Sequence, residues 1–234
     1  MRIGIIQSNY IPWRGYFDFI DEVDLFIFHD DLQYTKGDWR NRNRIRTSRG
    51  LLWLSVPVHH RDSRQLIRDT EIDYSSNWRK DHENQLRANY GHAPYLGDAL
   101  EILAHAFTHR DRTISELNQR LIEAIATYLG IATPLRDSAS YAITGQKTDR
   151  IIALCERAGA SIYLSGPSAK SYLDEVALRR AGIALEYKSY DYAPYPQQGA
   201  GFEGAVTVLD LIANCGPQAA DFLSSRTRNE VAIS

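Results

Sequence analysis

Short apolar runs alternate with stretches of helical periodicity along most of the chain. Residues 3–6 and 23–28 are predicted as buried strands, and the apolar residues between them have the spacing of a helix opened by Pro12. This βαβ order predicts two neighbouring parallel strands with a crossover helix. The N-terminal segment therefore indicates an α/β fold.

The rest of the chain continues this alternation. A capping box formed by Thr113 and Glu116 marks one helix start, and Thr148 is predicted to cap another. The predicted helices cover residues 76–90, 98–109, 114–129, 149–158 and 167–181, and the predicted strands cover residues 51–58, 67–72, 161–164 and 183–187. We expect a single α/β domain over residues 1–234, with a Rossmann-like, mostly parallel sheet and helices on both faces. A small β/α segment is expected as an insertion at about 51–95.

Polar and aromatic side chains follow each of the first two predicted strands. Gln7 and Asn9 come after the first strand, and Asp30 and Asp31 come after the second. Carboxyl ends of parallel strands are where ligands bind, so these residues predict a site. Gln7, Asp30 and Asp31 are the catalytic candidates, because a carboxylate can act as a general base or hold Mg²⁺ beside a nucleotide phosphate. A polar loop with a cap is the alternative for each carboxylate.

A basic run follows, in which arginines alternate with aromatic and amide side chains. Arg40, Arg42, Arg44 and Arg46 share one face if the segment is a strand, and form i,i+4 pairs if it is a helix. Guanidinium groups bind phosphate or carboxylate through paired hydrogen bonds. The interleaved aromatic and amide residues favour an anion site here over a solvated face.

The turn Ser165-Gly166-Pro167-Ser168 is a second candidate for anion binding. It follows a predicted strand and opens a predicted helix, so unpaired N–H groups face it, and Lys170 adds positive charge. An ordinary capped helix start is the alternative, and the local pattern does not separate the two.

Composition excludes several classes of protein. The net charge of −2 argues against a generally basic nucleic-acid coat protein, and no apolar run predicts membrane insertion or a signal peptide. Two cysteines argue against a disulfide framework and for the cytoplasm, and Cys155 is predicted as a core residue. No metal site, nucleophile elbow, dinucleotide fingerprint or P-loop is predicted.

Four motifs resemble the WbqC-like protein family over nearly the whole chain. They are GIIQSNYIPWRGYFDFI, DDLQYTKGDWRNRNRI, YLSGPSAKSYLDE and the tripeptide YPQ at Tyr195 to Gln197. The first motif usually reads Gln-Pro before its tyrosine, whereas this chain has Ser8 there. The resemblance implies a role in the synthesis of O-antigen or another surface polysaccharide, and a glycine-transferase activity has been proposed for the family.

The positions of these motifs supply the substrate-binding candidates. These are Asn9, Tyr10, Trp13, Gly15, Tyr16, Gln33, Tyr34, Lys36, Trp39, Asn41, Arg42, Asn43, Arg44, Ser165, Gly166, Ser168, Lys170, Tyr195 and Gln197. A fainter resemblance of residues 1–34 to nucleotidyltransferases and pantothenate synthetase suggests adenylate chemistry, although their His-x-Gly-His motif is missing.

The leading hypothesis is an enzyme that transfers an aminoacyl group, with glycyl as one candidate, to an amino sugar carried on a nucleotide. A non-catalytic module that binds a nucleotide or RNA is one alternative, and an ATP-dependent enzyme that forms adenylates or amides is another. The expected partner is a nucleotide sugar or another phosphate-bearing small molecule. The sequence does not distinguish three acyl donors: an aminoacyl-tRNA, an amino acid with ATP, and a thioester. It does not identify a cofactor either, although Mg²⁺ is a candidate. The oligomeric state is also open.

Overall fold

A six-stranded sheet forms the centre of the computed structural model, which describes residues 1–233. The strands along the chain are β1 (Arg2–Ile6), β2 (Leu25–Phe28), β3 (Arg42–Thr47), β4 (Gly50–Ser55), β5 (Leu135–Asp137), β6 (Ile162–Ser165), β7 (Ala184–Tyr187) and β8 (Glu230–Ile233). The sheet order is β5-β2-β1-β6-β7-β8, and every pairing is parallel except that of β7 with β8. This confirms the predicted α/β fold with a mostly parallel sheet.

The sheet strands have the order of a classical dinucleotide-binding sheet. Numbered by their appearance within the sheet, they run 3-2-1-4-5-6, so the winding direction reverses between β1 and β6. Ile3 of β1 pairs with Leu25 of β2 on one side and with Tyr163 of β6 on the other. A crevice is expected where the carboxyl ends of β1 and β6 meet.

Helices cover both faces of this sheet. They are α1 (Arg14–Asp21), α2 (Trp78–Tyr90), α3 (Leu96–Phe107), α4 (Ile114–Tyr128), α5 (Lys147–Ala158), α6 (Glu175–Arg180) and α7 (Val208–Cys215). Successive side chains of a strand point to opposite faces of the sheet, and this alternation separates two apolar clusters. Phe26 and Phe28 face the cluster of α1, α2, α3, α4 and α7, whereas Ile27 faces α5 and α6. Cys155 of α5 is buried in the second cluster, as predicted.

Gly4 allows α1 to lie close to the centre of the sheet. A Cβ atom at this position would lie 2.2 Å from Cε1 of Phe19, which is itself fully buried. We therefore expect Gly4→Ala to lower the free energy of unfolding by about 1–3 kcal/mol through overpacking. Urea denaturation tests this, with Gly97→Ala as the control because a Cβ there meets nothing within 4 Å. Equal destabilisation by the two variants would contradict the packing argument.

A separate antiparallel hairpin lies between β2 and β5. Strands β3 and β4 pair over their whole length, with Arg44 opposite Trp53 and Arg46 opposite Leu51. The basic run is thus a strand from Arg42 to Thr47. Helices α2, α3 and α4 follow before β5 begins, so the segment predicted at about 51–95 lies within a longer excursion from the sheet.

Three predicted elements are wrong in detail. Residues 67–72 form a 3₁₀ turn over Ile67–Asp69 rather than a strand, and the only pairings there among the described residues are two isolated bridges, of Glu71 with Thr113 and of Ile72 with Val58. The predicted helix over 167–181 divides into a 3₁₀ turn (Pro167–Ser171) and α6, because Asp174 caps a new helix. Thr148 lies inside α5, and its hydroxyl accepts a hydrogen bond from the Asp174 N–H instead.

Candidate functional site

A cleft of about 310 Å³ opens at the carboxyl ends of β1, β2 and β6. We name it the sheet-edge cleft; its polar side chains are Gln7, His29, Asp31, Gln33, Gln146, Lys147, Arg150, Tyr163 and Tyr172. It lies where the winding direction of the sheet reverses, which is the usual ligand position in open α/β sheets. Three residues predicted from two separate motifs, Gln7, Asp31 and Gln33, therefore line the same cleft.

Arg150 organises the charged end of the sheet-edge cleft. Its Nε donates to Nε2 of His29 at 3.0 Å, and its Nη2 donates to Oδ2 of Asp31. Ser138 Oγ donates to the other Asp31 oxygen at 2.7 Å. Burial, and next the charge of Arg150, lowers the pKa of His29 to about 4. His29 is thus neutral near pH 7 and serves as an acceptor that positions Arg150.

Two buried histidines make stability depend on pH. Burial is the main cause that lowers the pKa of both His29 and His82 to about 4, from 6.5. Between pH 6.5 and 4 the unfolded chain binds protons that the native chain does not, so their contribution to stability is present above pH 6.5 and declines as the pH falls. We expect the urea midpoint to fall from pH 7 to pH 5. His82→Gln should flatten this decline and the exposed His105→Gln should not; an equal decline in both variants would contradict the assignment.

A second cleft of about 280 Å³ lies between the loop after β1, which we call the first loop, and the β3–β4 hairpin. We name it the tryptophan cleft; it is lined by Asn9, Pro12, Trp13, Trp39, Asn43, Arg44 and Ala205. Trp13 is held by Tyr190 and Tyr192, with ring centroids 5.2 and 5.7 Å away. Five predicted binding residues line this cleft, and its indoles offer flat apolar surfaces beside the Arg44 guanidinium.

Arg40 joins the walls of the two clefts. Its Nη2 donates to Oε1 of Gln7 at 3.0 Å, and its Nη1 donates to Oδ1 of Asn9. A guanidinium only donates, so both amide oxygens must point to it and both amide NH₂ groups point away. The NH₂ donors of Gln7, which lines the sheet-edge cleft, and of Asn9, which lines the tryptophan cleft, are therefore both turned away from Arg40.

Asp30 lies in the interior, unlike its neighbour Asp31. Its Oδ1 accepts from the Ser8 N–H at 2.7 Å, and its Oδ2 accepts from Ser115 Oγ at 2.5 Å and from Gln119 Nε2 at 3.3 Å. The side chain is fully buried and lines neither cleft. This carboxylate ties the first loop to α4, and it is positioned to support the site rather than to contact a ligand.

Other aromatic candidates are also packed inside the protein. Tyr10 is fully buried, with its hydroxyl 2.8 Å from Nδ1 of His82, and Tyr16 donates to the Gln7 carbonyl at 3.0 Å. Tyr34 is buried beside His60, and burial raises its pKa to about 12. A Cβ atom on Gly15 would lie 2.4 Å from the Trp13 indole, so the glycine allows that ring to pack on α1.

The turn after β6 does not join either cleft. Ser165 is buried and donates to the Tyr163 hydroxyl at 3.3 Å, while Lys170 forms an ion pair with Glu230 at 2.5 Å. Gly166 and Ser168 line neither cleft, and Lys36 lies exposed in the loop before the hairpin. The anion site predicted at this turn is therefore not assembled with the residues of the first two motifs.

Gln197 lines a third cavity, of about 730 Å³, beside the loop of residues 197–203, and Tyr195 lies behind it, bonded to Asp210 of the cavity wall. Each donates to Oδ1 of the buried Asp210 at 2.7 Å. Arg46 is bound there by Gln197 and by the carbonyl oxygens of Ala200 and Gly201. Tyr90, Gln197, Asp210 and Arg46 of this cavity are bonded to one another, so these four groups offer a ligand less than the polar groups of the two clefts do.

Sequence reasoning missed several residues that shape the site. Arg150 and Lys147 come from α5, more than a hundred residues after β2, and no local pattern marks them. Trp53 is the cross-strand partner of Arg44, and the guanidinium of Arg42 lies 4.1 Å from its ring centroid. The Asn41 side chain, by contrast, donates to the carbonyl of Val56 and holds the hairpin.

Comparison with known proteins places this fold and these motifs in a family. The model of the WbqC-like protein family matches residues 7–222. The chain belongs to the WbqC-like protein family. It is also 48% identical over 225 residues to an uncharacterized protein of Mycobacterium tuberculosis, covering 95% of this chain and 97% of that protein. No solved structure matches the chain.

Two further features were sought across the described chain. Within residues 1–233, no helix has both the length and the apolar character needed to cross a lipid bilayer. The same residues bring no group of three His, Cys, Asp or Glu side chains together in a metal-binding arrangement.

Proposed function

We propose that this protein is an enzyme of surface-polysaccharide synthesis that transfers an aminoacyl group to an amino sugar carried on a nucleotide. The observation that carries the proposal is the pair of clefts joined by Gln7, Arg40 and Asn9. Transfer between two substrates needs two binding spaces that meet at one reacting point. The family resemblance supplies the polysaccharide context and glycine as one candidate acyl group.

The sheet-edge cleft suits the nucleotide amino sugar. It lies at the switch point of the sheet, and the Lys147 ammonium brings positive charge for a diphosphate. Asp31 and Gln33 on the same wall offer acceptors for an amine and for sugar hydroxyls. The tryptophan cleft then takes the acyl donor, with Trp13 and Trp39 as apolar walls.

Aminoacyl transfer needs a base and donors for an oxyanion. The sugar amine attacks the acyl carbonyl carbon, a C–N bond forms, and the bond from carbon to the leaving group breaks. Asp31 accepts the proton that the nitrogen loses, and that proton passes to the leaving group. The amide NH₂ groups of Gln7 and Asn9, turned outward by Arg40, donate to the carbonyl oxygen as it becomes negative.

Ligand-induced stabilisation tests the acceptor site. We expect a UDP-, dTDP- or GDP-linked amino sugar to stabilise the wild type by roughly 2–4 kcal/mol at 100 to 1,000 times its Kd, measured as a thermal shift. Lys147→Gln should reduce this shift. Lys170→Gln should not, because Lys170 pairs with Glu230 outside the cleft.

Three results would contradict the proposal. Stabilisation by ATP with Mg²⁺ alone would favour adenylate chemistry. Absence of any shift with nucleotide sugars, or equal losses in Lys147→Gln and Lys170→Gln, would remove the sheet-edge cleft as the acceptor site. A binding module without activity would bind in the same way but would form no product.

A further inference from the structure

Two exposed tryptophans and two half-exposed arginines lie together on one surface of the β3–β4 hairpin and the turn before it. Trp39 and Trp53 are 42% and 41% exposed, and their ring centroids lie 5.4 Å apart. The Arg42 guanidinium lies 4.1 Å from the Trp53 centroid, and that of Arg44 lies 5.4 Å from both rings. We name these four residues the hairpin face. Adjacent exposed apolar side chains of this size are typical of surfaces that bind a ligand or a partner.

The two arginines of the hairpin face lack partners within the described chain. Neither guanidinium forms an ion pair with a carboxylate of residues 1–233, and the Nε atoms of both are buried without a hydrogen-bond partner. Arg40 and Arg46 of the same basic run are instead occupied by Gln7, Asn9 and the loop carbonyl oxygens. Positive charge without a counterion, stacked on indole rings, indicates an anionic ligand with flat groups.

We propose that the hairpin face binds the single-stranded 3′ end of a transfer RNA, so that an aminoacyl-tRNA is the acyl donor. This inference rests on the proposed aminoacyl transfer and names its donor. Single-stranded nucleic acids bind where bases stack on aromatic rings and phosphates meet cations. Two indoles and two guanidinium groups, drawn from both strands of the hairpin and from the turn before it, match consecutive nucleotides better than they match one mononucleotide.

The position of the hairpin face agrees with this role. Trp39 and Arg44 belong both to the hairpin face and to the tryptophan cleft. An RNA end lying along the hairpin would therefore pass its terminal ribose, with the esterified amino acid, into the tryptophan cleft. The acyl carbon would then lie next to Asn9, whose amide group Arg40 holds beside that of Gln7. The ester C–O bond breaks, and the ribose hydroxyl is the leaving group that receives the proton.

Fluorescence anisotropy with a labelled single-stranded RNA that carries the tRNA 3′ sequence tests the surface directly. Loss of base stacking in Trp53→Ala should weaken binding about 10-fold or more. Arg42→Gln should lower the slope of log K against log salt by about 0.7, the value for one phosphate contact on a single strand. Arg110→Gln is the matched control, because Arg110 also stacks on an aromatic ring, that of Tyr74 at 4.8 Å.

The outcomes separate this inference from the proposed function. RNA binding that Trp53→Ala and Arg42→Gln leave unchanged, or that AMP displaces at the affinity of the RNA itself, would overturn the hairpin face as a strand-binding surface. Transfer from an aminoacyl thioester in a protein that does not bind RNA would keep the proposed function and remove the tRNA donor. RNA binding that depends on Trp53, without any transfer, would keep the surface and remove the proposed activity. Thermal melting of each variant confirms that the hairpin is folded.

Discussion

Replacement of Asp31 by asparagine is expected to lower kcat for aminoacyl transfer about 10²- to 10⁴-fold, the range for loss of a general base. Asparagine keeps the size of the side chain and an oxygen that can accept from Ser138 or Arg150. It cannot take a proton from the attacking amine. Nucleotide-sugar binding should change far less, since Lys147 and Gln33 remain in the sheet-edge cleft. Steady-state kinetics with product detected by mass spectrometry measures this split.

Ser138→Ala is the control for the Asp31 variant. It removes the hydrogen bond of 2.7 Å to Asp31 but leaves the carboxylate and its ion pair with Arg150. We expect this variant to keep most of the activity and to lose some stability. Equal activity of Asp31→Asn and wild type would show that Asp31 is not the base, whatever the outcome for Ser138→Ala.

Replacement of Asp30 by alanine is expected to destabilise the protein by about 2–4 kcal/mol, because it leaves buried donors without an acceptor. The Ser8 N–H and the Ser115 hydroxyl would lose their partner in the interior. Urea denaturation measures the change. Ser115→Ala removes the donor itself and leaves no buried donor without an acceptor, so it should lower the free energy of unfolding by less. A difference from wild type below about 0.5 kcal/mol for Asp30→Ala would contradict the role assigned to this network.

The two adjacent carboxylates differ in their surroundings because their side chains point to opposite sides of the chain after β2. Asp30 points to the interior, where α4 contributes Ser115 and Gln119, and Asp31 points to the side of α5, which contributes Arg150. The pattern of a strand followed by two acids predicts that they diverge. It does not predict which one is buried, since that depends on helices far away in the chain.

Ser8 illustrates how one position affects this network. Its backbone N–H donates to Asp30 at 2.7 Å, and its hydroxyl accepts from Asn118 at 3.3 Å. A proline at this position would have no N–H and could not make the first bond. In this chain a hydrogen bond to Asp30 therefore holds the loop after β1.

The sequence predicted the elements that carry local signals. The runs at residues 3–6 and 23–28 become β1 and β2, the second strand beginning at Leu25, and the capping box of Thr113 and Glu116 starts α4. Gln7, Asp31 and Gln33 could be placed together because the ends of adjacent parallel strands must converge. Periodicity failed at residues 167–181, where apolar spacing continues through Asp174, although that residue starts a new helix.

The part of the site that could not be predicted depends on long-range contacts. Arg150 is bonded to Asp31 across 119 positions of the chain, and Arg40 is bonded to Gln7 and Asn9 across more than 30. The basic run indicated an anion site as a whole. Only the fold shows that Arg40 and Arg46 are bonded internally and that Arg42 and Arg44 are not.

Single-turnover transfer to a nucleotide amino sugar, compared between wild type and Gln7→Glu, is the most direct test of the two-cleft site. Glutamate keeps the oxygen that accepts from Arg40 but removes the amide N–H offered to the developing oxyanion. We predict an amide-linked product from the wild type, formed about 10²- to 10³-fold more slowly by Gln7→Glu at unchanged substrate affinity. No product from the wild type with any aminoacyl donor, or equal rates in both proteins, would contradict the account.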